Sequence, residues 1–194
     1  PDGVVCADVG QNQMSTAQAS DLSGDRRIVN SASYASMGYS LPAAIGAAYA
    51  RPNSRIVSFN GDGGIQMNIQ ELQTVVREKL PIIIVVLNNS CLGMIRRLQE
   101  KLYDNRTYVS VDGYSVPDFG AVSKAYKIPF LRIERVDQLD KIEEFISTPG
   151  PCFIEVTFPV ELENNPEPGR VIDQQTPLLS PAEVEQIRRE CQQP

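Results

Sequence analysis

Short β-branched apolar runs alternate along this chain with longer stretches in which apolar residues recur every three or four positions. "VVCAD" (4–8), "RIVSFN" (55–60), "IIIVVLNN" (82–89), "FLRI" (130–133) and "CFIEVTF" (152–158) read as strands. The run that begins at Ile82 is continuously apolar and β-branched, as expected for a central strand covered on both faces. Helical spacing fills most of the intervals, over 37–50, 68–78, 91–103, 118–126 and 136–147. In "NIQELQTVVREKL" apolar residues at 69, 72, 75, 76 and 80 keep that spacing, and Asn68 stands where an N-cap belongs. Strand–helix alternation with strands this apolar predicts an α/β fold: an open, doubly wound, mostly parallel sheet with helices on both faces.

The pattern fades at Pro159. "PVELENNPEPGRVIDQQTPLL" is rich in Pro, Asn and Glu and holds no sustained period. The expectation is therefore one domain over 1–158, then an extended C-terminal tail over 159–194 that ends in a short helix near 181–191. A chain of 194 residues suits one domain with a sizeable core plus such a tail.

Charge and residue usage narrow the chemistry. The formal charge is −6, with 18 basic and 24 acidic residues and no long basic run, so nucleic acid is not expected as a partner. A polyanionic ligand would need a metal ion or backbone N–H groups to hold it. The absence of histidine excludes a Ser-His-Asp or Cys-His device built from this chain alone. Cys6, Cys91, Cys152 and Cys191 form no C-x-x-C and read as reduced thiols in a cytoplasmic protein. No apolar stretch approaches a membrane span and no signal-peptide pattern opens the chain, so no membrane partner is expected. Pro1-Asp2-Gly3 leads straight into a strand without an initiator Met, which suggests a piece of something longer.

In open α/β sheets ligands gather beyond the carboxyl ends of the strands. Three stretches fall there: "DVGQNQ" (8–13), "NGDGG" (60–64) and "NNSCLGM" (88–94). Asp62 and Asn89 end two different strands at the spacing of one strand–helix–strand crossover. A carboxylate and an amide oxygen can then face one another, with a backbone carbonyl after Asn89 as a third donor. This is a Mg²⁺-like set, which leaves positions for water and phosphate oxygens. Gly61, Gly63 and Gly64 would let backbone N–H groups approach a phosphate. Taken singly, G-D-G is an ordinary turn and N-N an ordinary cap; together, at crossover spacing, they favour a ligand site. No G-x-G-x-x-G follows the first strand, which disfavours an unrelated dinucleotide-binding domain.

These residues carry a resemblance. "GDGGIQMNIQELQTVVREKLPIIIVVLNN" resembles the G-D-G…N-N signature of thiamine-diphosphate (ThDP) enzymes. The wider set "VGQNQM…SASYASMGYSLPAAIGAAYARP…GDGGIQMNIQEL…LNNSCLGMI…TPGPCFIEV" is similar to the C-terminal, diphosphate-binding domain of the acetolactate synthase-like family. It spans roughly residues 3–158.

The resemblance implies a ThDP-binding fold and a set of roles. Asp62, Asn89 and the backbone carbonyl of Cys91 would ligate Mg²⁺. Gly10, Gln11 and Asn12, with Gly63 and Gly64, would line the diphosphate. Met37 would wedge under the cofactor and hold it bent, and the Ala35 carbonyl would accept a hydrogen bond from the aminopyrimidine. Met94 and Ile95 would face the reacting carbon. By itself Met37 would read as a core methionine. The implied reaction is decarboxylation of a 2-oxo acid such as pyruvate, followed by carboligation.

The family's catalytic glutamate belongs to a separate pyrimidine-binding domain, usually from another subunit, and nothing in this chain matches that domain. Half an active site is therefore expected here, completed in a homodimer or homotetramer. Two positions depart from the family pattern: Leu98 stands where Trp is usual, and Asn12 where His is common. The resemblance thus specifies the cofactor more tightly than the substrate. Other readings are a simple 2-oxo acid decarboxylase, a flavin-linked oxidase with FAD in the full-length protein, and a non-catalytic ThDP-binding module. The joint retention of Asp62, Asn89 and Met37 argues against the last.

Overall fold

The structure is a computed structural model that describes residues 3–159 and 180–191. Its strands are β1 (Gly3–Ala7), β2 (Arg27–Asn30), β3 (Arg55–Gly61), β4 (Ile82–Asn88), β5 (Phe130–Ile133) and β6 (Cys152–Thr157). They form one sheet in the order β2-β1-β3-β4-β6-β5, with every neighbouring pair parallel. The helices are α1 (Gln11–Ala19), α2 (Ser40–Ala50), α3 (Asp62–Met67), α4 (Leu72–Arg77), α5 (Gly93–Leu102), α6 (Phe119–Ala125), α7 (Lys141–Ile146) and α8 (Pro181–Cys191). The expected α/β fold, doubly wound with a parallel sheet, is the fold observed.

Crossover direction decides which helix covers which face. The steps β1→β2 and β5→β6 run one way along the sheet, and all other steps run the opposite way. With right-handed crossovers, α1 and α7 then lie on one face and α2, α4 and α6 on the other. The packing agrees. Leu41, Ala44, Leu72, Val75 and Phe119 bury against Ile56, Ile82, Ile84 and Val86 on one side. Ile142, Phe145 and Ile146 pack on Ile83, Val85 and Ile154 on the other. Alternate residues of β4 thus serve opposite cores, which explains its unbroken apolar run. Truncating a fully buried member such as Ile84 to Ala costs about 2–5 kcal/mol.

Several elements differ from the sequence expectation. Strand β2 was not expected: "RIVN" is four residues long, lies at the sheet edge and is only half-buried. Helix α1 carries "QNQMSTAQA", which has no apolar stripe to mark it. Helix α3 begins on the D-G-G that reads as a loop, because glycine disfavours helix interiors. The helix expected over 37–50 starts only at Ser40, because Gly38 is left-handed (φ +78°). The stretch expected as 68–78 splits into a 3₁₀ turn over Ile69–Glu71 and then α4. Asn68 caps nothing with its side chain; its Nδ2 donates to the Gly38 carbonyl at 2.8 Å. The 136–147 stretch likewise divides into a 3₁₀ turn and α7.

Cys6, Cys91 and Cys152 are buried and free, and burial pushes the Cys6 thiol up to about 12. No helix among the described residues is long and apolar enough to cross a membrane. The expected helix near 181–191 is present as α8. The expected extended tail before it lies outside the described residues.

Candidate functional site

Strand β1 sits between β2 and β3, so the chain leaves β1 and β3 in opposite directions. The loops after these two strands diverge and open a crevice at their carboxyl ends, the usual ligand position in such sheets. The first turn of α1, the first turn of α3 and the turn after β4 converge there.

Asp62, at the start of α3, is 3% exposed. Its Oδ1 accepts the Gly63 N–H at 2.9 Å, while its Oδ2 is buried and accepts no hydrogen bond. Burial pushes the carboxyl up to about 6, against the backbone N–H groups of Gly63, Ser90 and Cys91, which favour the charged form. A buried carboxylate oxygen without a donor is costly unless a cation meets it.

Asn89 and Cys91 stand in the turn facing this carboxylate, and both are buried. The Cys91 N–H donates to Asn89 Oδ1 at 3.3 Å, and Asn89 Nδ2 donates to Gln11 Oε1 at 3.5 Å. Gln11 Nε2 is buried without a hydrogen-bond partner. Among the described residues no cluster of three or more His, Cys, Asp or Glu could hold a metal. The available donors are one carboxylate, an amide oxygen and backbone carbonyls. An all-oxygen set with few charges fits Mg²⁺, which keeps waters and phosphate oxygens of its ligand.

The glycines have distinct surroundings. A Cβ on Gly61 would meet nothing within 4 Å, so this position borders open space. A Cβ on Gly63 would lie 2.5 Å from Leu92 Cδ2, 3.0 Å from the Tyr114 hydroxyl and 3.4 Å from Met37 Cε. One on Gly64 would lie 2.8 Å from Asp8 Oδ1. Gly10 adopts φ +86° at the head of α1, with Met94 leaning over it. Met37, Gly63, Leu92 and Tyr114 are thereby gathered at one place, and Gly10 and Met94 at another.

Asn12 turns inward: its Nδ2 donates to the carbonyls of Asp8 at 3.2 Å and Phe59 at 3.0 Å, tying α1 to β3. Ala35 is exposed and left-handed (φ +46°), and its N–H donates to the Ala32 carbonyl. Met37 (39% exposed), Met94 and Ile95 all leave apolar surface open to solvent. That surface suits contact with a ligand or another domain.

Two residues escaped the sequence reading. Asp8 is fully buried, accepts from Val9 at 2.8 Å and Gly38 at 3.1 Å on Oδ1, and from Ser40 at 3.2 Å on Oδ2. It pins the loop carrying Met37 to the end of β1. Tyr114 presents a buried hydroxyl with no hydrogen-bond partner; burial, then the Asp62 charge, pushes its ionisation upward. A carboxylate that closes an apolar strand gives no chemical signal of its own. Nor does a tyrosine in an aperiodic loop 52 positions beyond Asp62.

The family described as "Thiamine pyrophosphate enzyme, C-terminal TPP binding domain" matches residues 8–156. The chain is 40% identical over 164 residues to the acetolactate synthase isozyme 2 large subunit of Escherichia coli, covering 84% of this chain and 30% of that protein. It is 42% identical over 149 residues to the acetolactate synthase large subunit of Cyanidium caldarium, covering 76% and 25%. A probable chloroplastic acetolactate synthase 2 of Oryza sativa is 36% identical over 167 residues, covering 81% and 25%. The chain thus spans about a quarter to a third of the length of these relatives.

Proposed function

Because the chain belongs to the thiamine pyrophosphate enzymes as their C-terminal TPP-binding domain, we propose that it forms the diphosphate- and Mg²⁺-binding half of an active site for decarboxylation and carboligation of a 2-oxo acid. The observation that carries this reading is the buried, partnerless Oδ2 of Asp62 at the sheet's switch point. When bound, thiamine diphosphate supplies the nucleophilic carbon and the electron sink for the reaction.

The chain's own residues would bind, orient and shield. Asp62, the Asn89 amide oxygen and the Cys91 carbonyl would hold Mg²⁺. Gly10, Gln11 and Asn12, with Gly61, Gly63 and Gly64, would line the diphosphate; the open space at Gly61 supports this. Met37 would hold the cofactor bent, with Asp8 fixing its loop. The Ala35 carbonyl would accept from the aminopyrimidine. Met94 and Ile95 would keep water from the reacting carbon.

A pyrimidine-binding domain, from the same or another subunit, would complete the site, in a homodimer or homotetramer. Any FAD would bind in the remainder of the full-length protein. Free buried cysteines support a cytoplasmic, reducing setting. The similarity to acetolactate synthases supports pyruvate-like substrates.

The test is Asp62→Ala in the full-length protein. Calorimetry should show Mg²⁺-dependent ThDP binding lost while the fold survives by circular dichroism. Unchanged ThDP affinity would refute the metal assignment. The 194-residue chain alone should turn over no pyruvate, and turnover by it would refute the half-site reading.

A further inference from the structure

Asn88 ends strand β4 and Asn89 opens the turn after it, and their side chains go to different places. Asn89 reaches Gln11, its Nδ2 donating to Oε1 at 3.5 Å, whereas the buried Asn88 reaches the neighbouring strand, its Nδ2 donating to Glu155 Oε1 at 2.7 Å. The Oδ1 of Asn88 accepts the Ser90 N–H at 3.0 Å and the Ser90 hydroxyl at 3.4 Å. Ser90 is left-handed (φ +54°), a conformation that costs a non-glycine residue about 1 kcal/mol and persists only when its surroundings enforce it. The Asn88 amide oxygen binds both the N–H and the hydroxyl of this residue, and the turn so held carries Asn89 and Cys91.

Glu155 in turn requires an anchor, being only 2% exposed. Arg132 stands directly opposite in the β5–β6 register and donates from Nε to Glu155 Oε2 at 2.8 Å. The same guanidinium lies 5.5 Å from the centroid of the Phe130 ring and reaches Asp118, the N-cap of α6, at 3.4 Å. A continuous polar chain therefore runs Asp118–Arg132–Glu155–Asn88–Ser90, from the far edge of the sheet to the turn that faces Asp62.

We propose that the Arg132–Glu155 pair, acting through Asn88, is the positioning device for the cation-binding turn at 89–91. This rests on the reading of Asp62, Asn89 and Cys91 as Mg²⁺ ligands. Glu155 and Asn88 do not touch the cation; they set where its ligands stand. Loss of such outer partners typically weakens metal affinity about 10–100-fold. An ion pair that merely stabilised the sheet would lower the melting temperature and leave metal affinity alone.

The test uses the full-length protein with saturating ThDP, titrated with Mn²⁺ and followed by the electron paramagnetic resonance of the free ion. In parallel, the Mg²⁺ concentration for half-maximal turnover is measured. Glu155→Leu removes the acceptor for Asn88 and should weaken Mn²⁺ binding about 10–100-fold. The half-activating Mg²⁺ concentration should rise in step, with kcat recovered once Mg²⁺ saturates. Glu155→Gln keeps an oxygen facing Asn88 Nδ2 and should recover most of the affinity. Asn88→Ala removes the linking amide without burying a new apolar group, and carries the test should E155L not fold. Wild-type Mn²⁺ affinity in folded E155L and N88A would overturn the positioning role. A wild-type protein that binds no Mn²⁺ with ThDP would overturn the underlying ligand assignment, a result the variants are not needed to read.

Discussion

Two buried carboxylates stand at the carboxyl ends of the adjacent strands β1 and β3, and burial raises the pKa of both. Around Asp8 the chain supplies backbone N–H groups from Val9, Gly38 and Ser40, so both oxygens are occupied. Around Asp62 only Gly63 gives a hydrogen bond of ordinary length, although the Ser90 and Cys91 N–H groups also favour its charge, and Oδ2 accepts no hydrogen bond. Residue type, depth and position in the sheet are the same. The difference lies in saturation: the protein completes Asp8 by itself, which makes it a clasp, whereas Asp62 keeps one oxygen without a donor, as the proposed cation ligand would.

The largest expected effect separates the pair. Asp62→Ala should weaken Mg²⁺-dependent ThDP binding by at least about a hundredfold, since it removes the only charged ligand. Asp8→Asn should instead act on the fold, turning an amide N–H₂ toward the N–H groups it faces. A loss of about 1–3 kcal/mol in denaturant unfolding is expected, with a smaller change in metal affinity. If Asp8→Asn abolished Mn²⁺ binding at unchanged stability, the contrast would collapse. Gly64→Ala presses a methyl group on the Asp8 carboxylate and should cost about 1–3 kcal/mol by the same measurement.

A pH series sharpens the comparison further. With no cation present, the Asp62 carboxyl lies near 6 in the fold against an ordinary 3.8. A raised carboxyl pKa means the native state holds its proton more tightly than the unfolded state. Its contribution to stability is therefore complete below about 4 and disappears as pH rises through about 6. Unfolding of the metal-free protein should show this fall between pH 4 and 6, and Asp62→Asn should remove it. Asp62→Asn should then be the more stable protein at neutral pH without metal, although its Mg²⁺-dependent cofactor affinity should fall. The smallest effect is expected at Gly61→Ala, which meets no neighbouring atom and should shift stability by less than about 0.5 kcal/mol. Its ThDP affinity should fall nonetheless, because the methyl group occupies the space left open.

The contrast also shows what the chain disclosed before it was folded. Five of the six strands were legible because β-branched runs bounded by turn residues have few other readings. β2 was hidden because only Ile28 and Val29 of its four residues are apolar, and α1 because its sequence is mostly polar. Asp62 and Asn89 could be picked out because their spacing equals one crossover. Asp8 could not, since its meaning lies in N–H groups some thirty positions away. Glu155 and Arg132 were invisible for a related reason: inside a strand each looks like a polar break in an apolar run, and only strand register sets them face to face.

A fold that keeps an ionised oxygen unshared at neutral pH is weaker empty than filled. A cation and diphosphate bound at Asp62, as proposed above, would add to the unfolding free energy with the logarithm of their concentration over their dissociation constant. Resistance to proteolysis would then rise with cofactor supply: chains made when the cofactor is scarce would open more often and be degraded sooner.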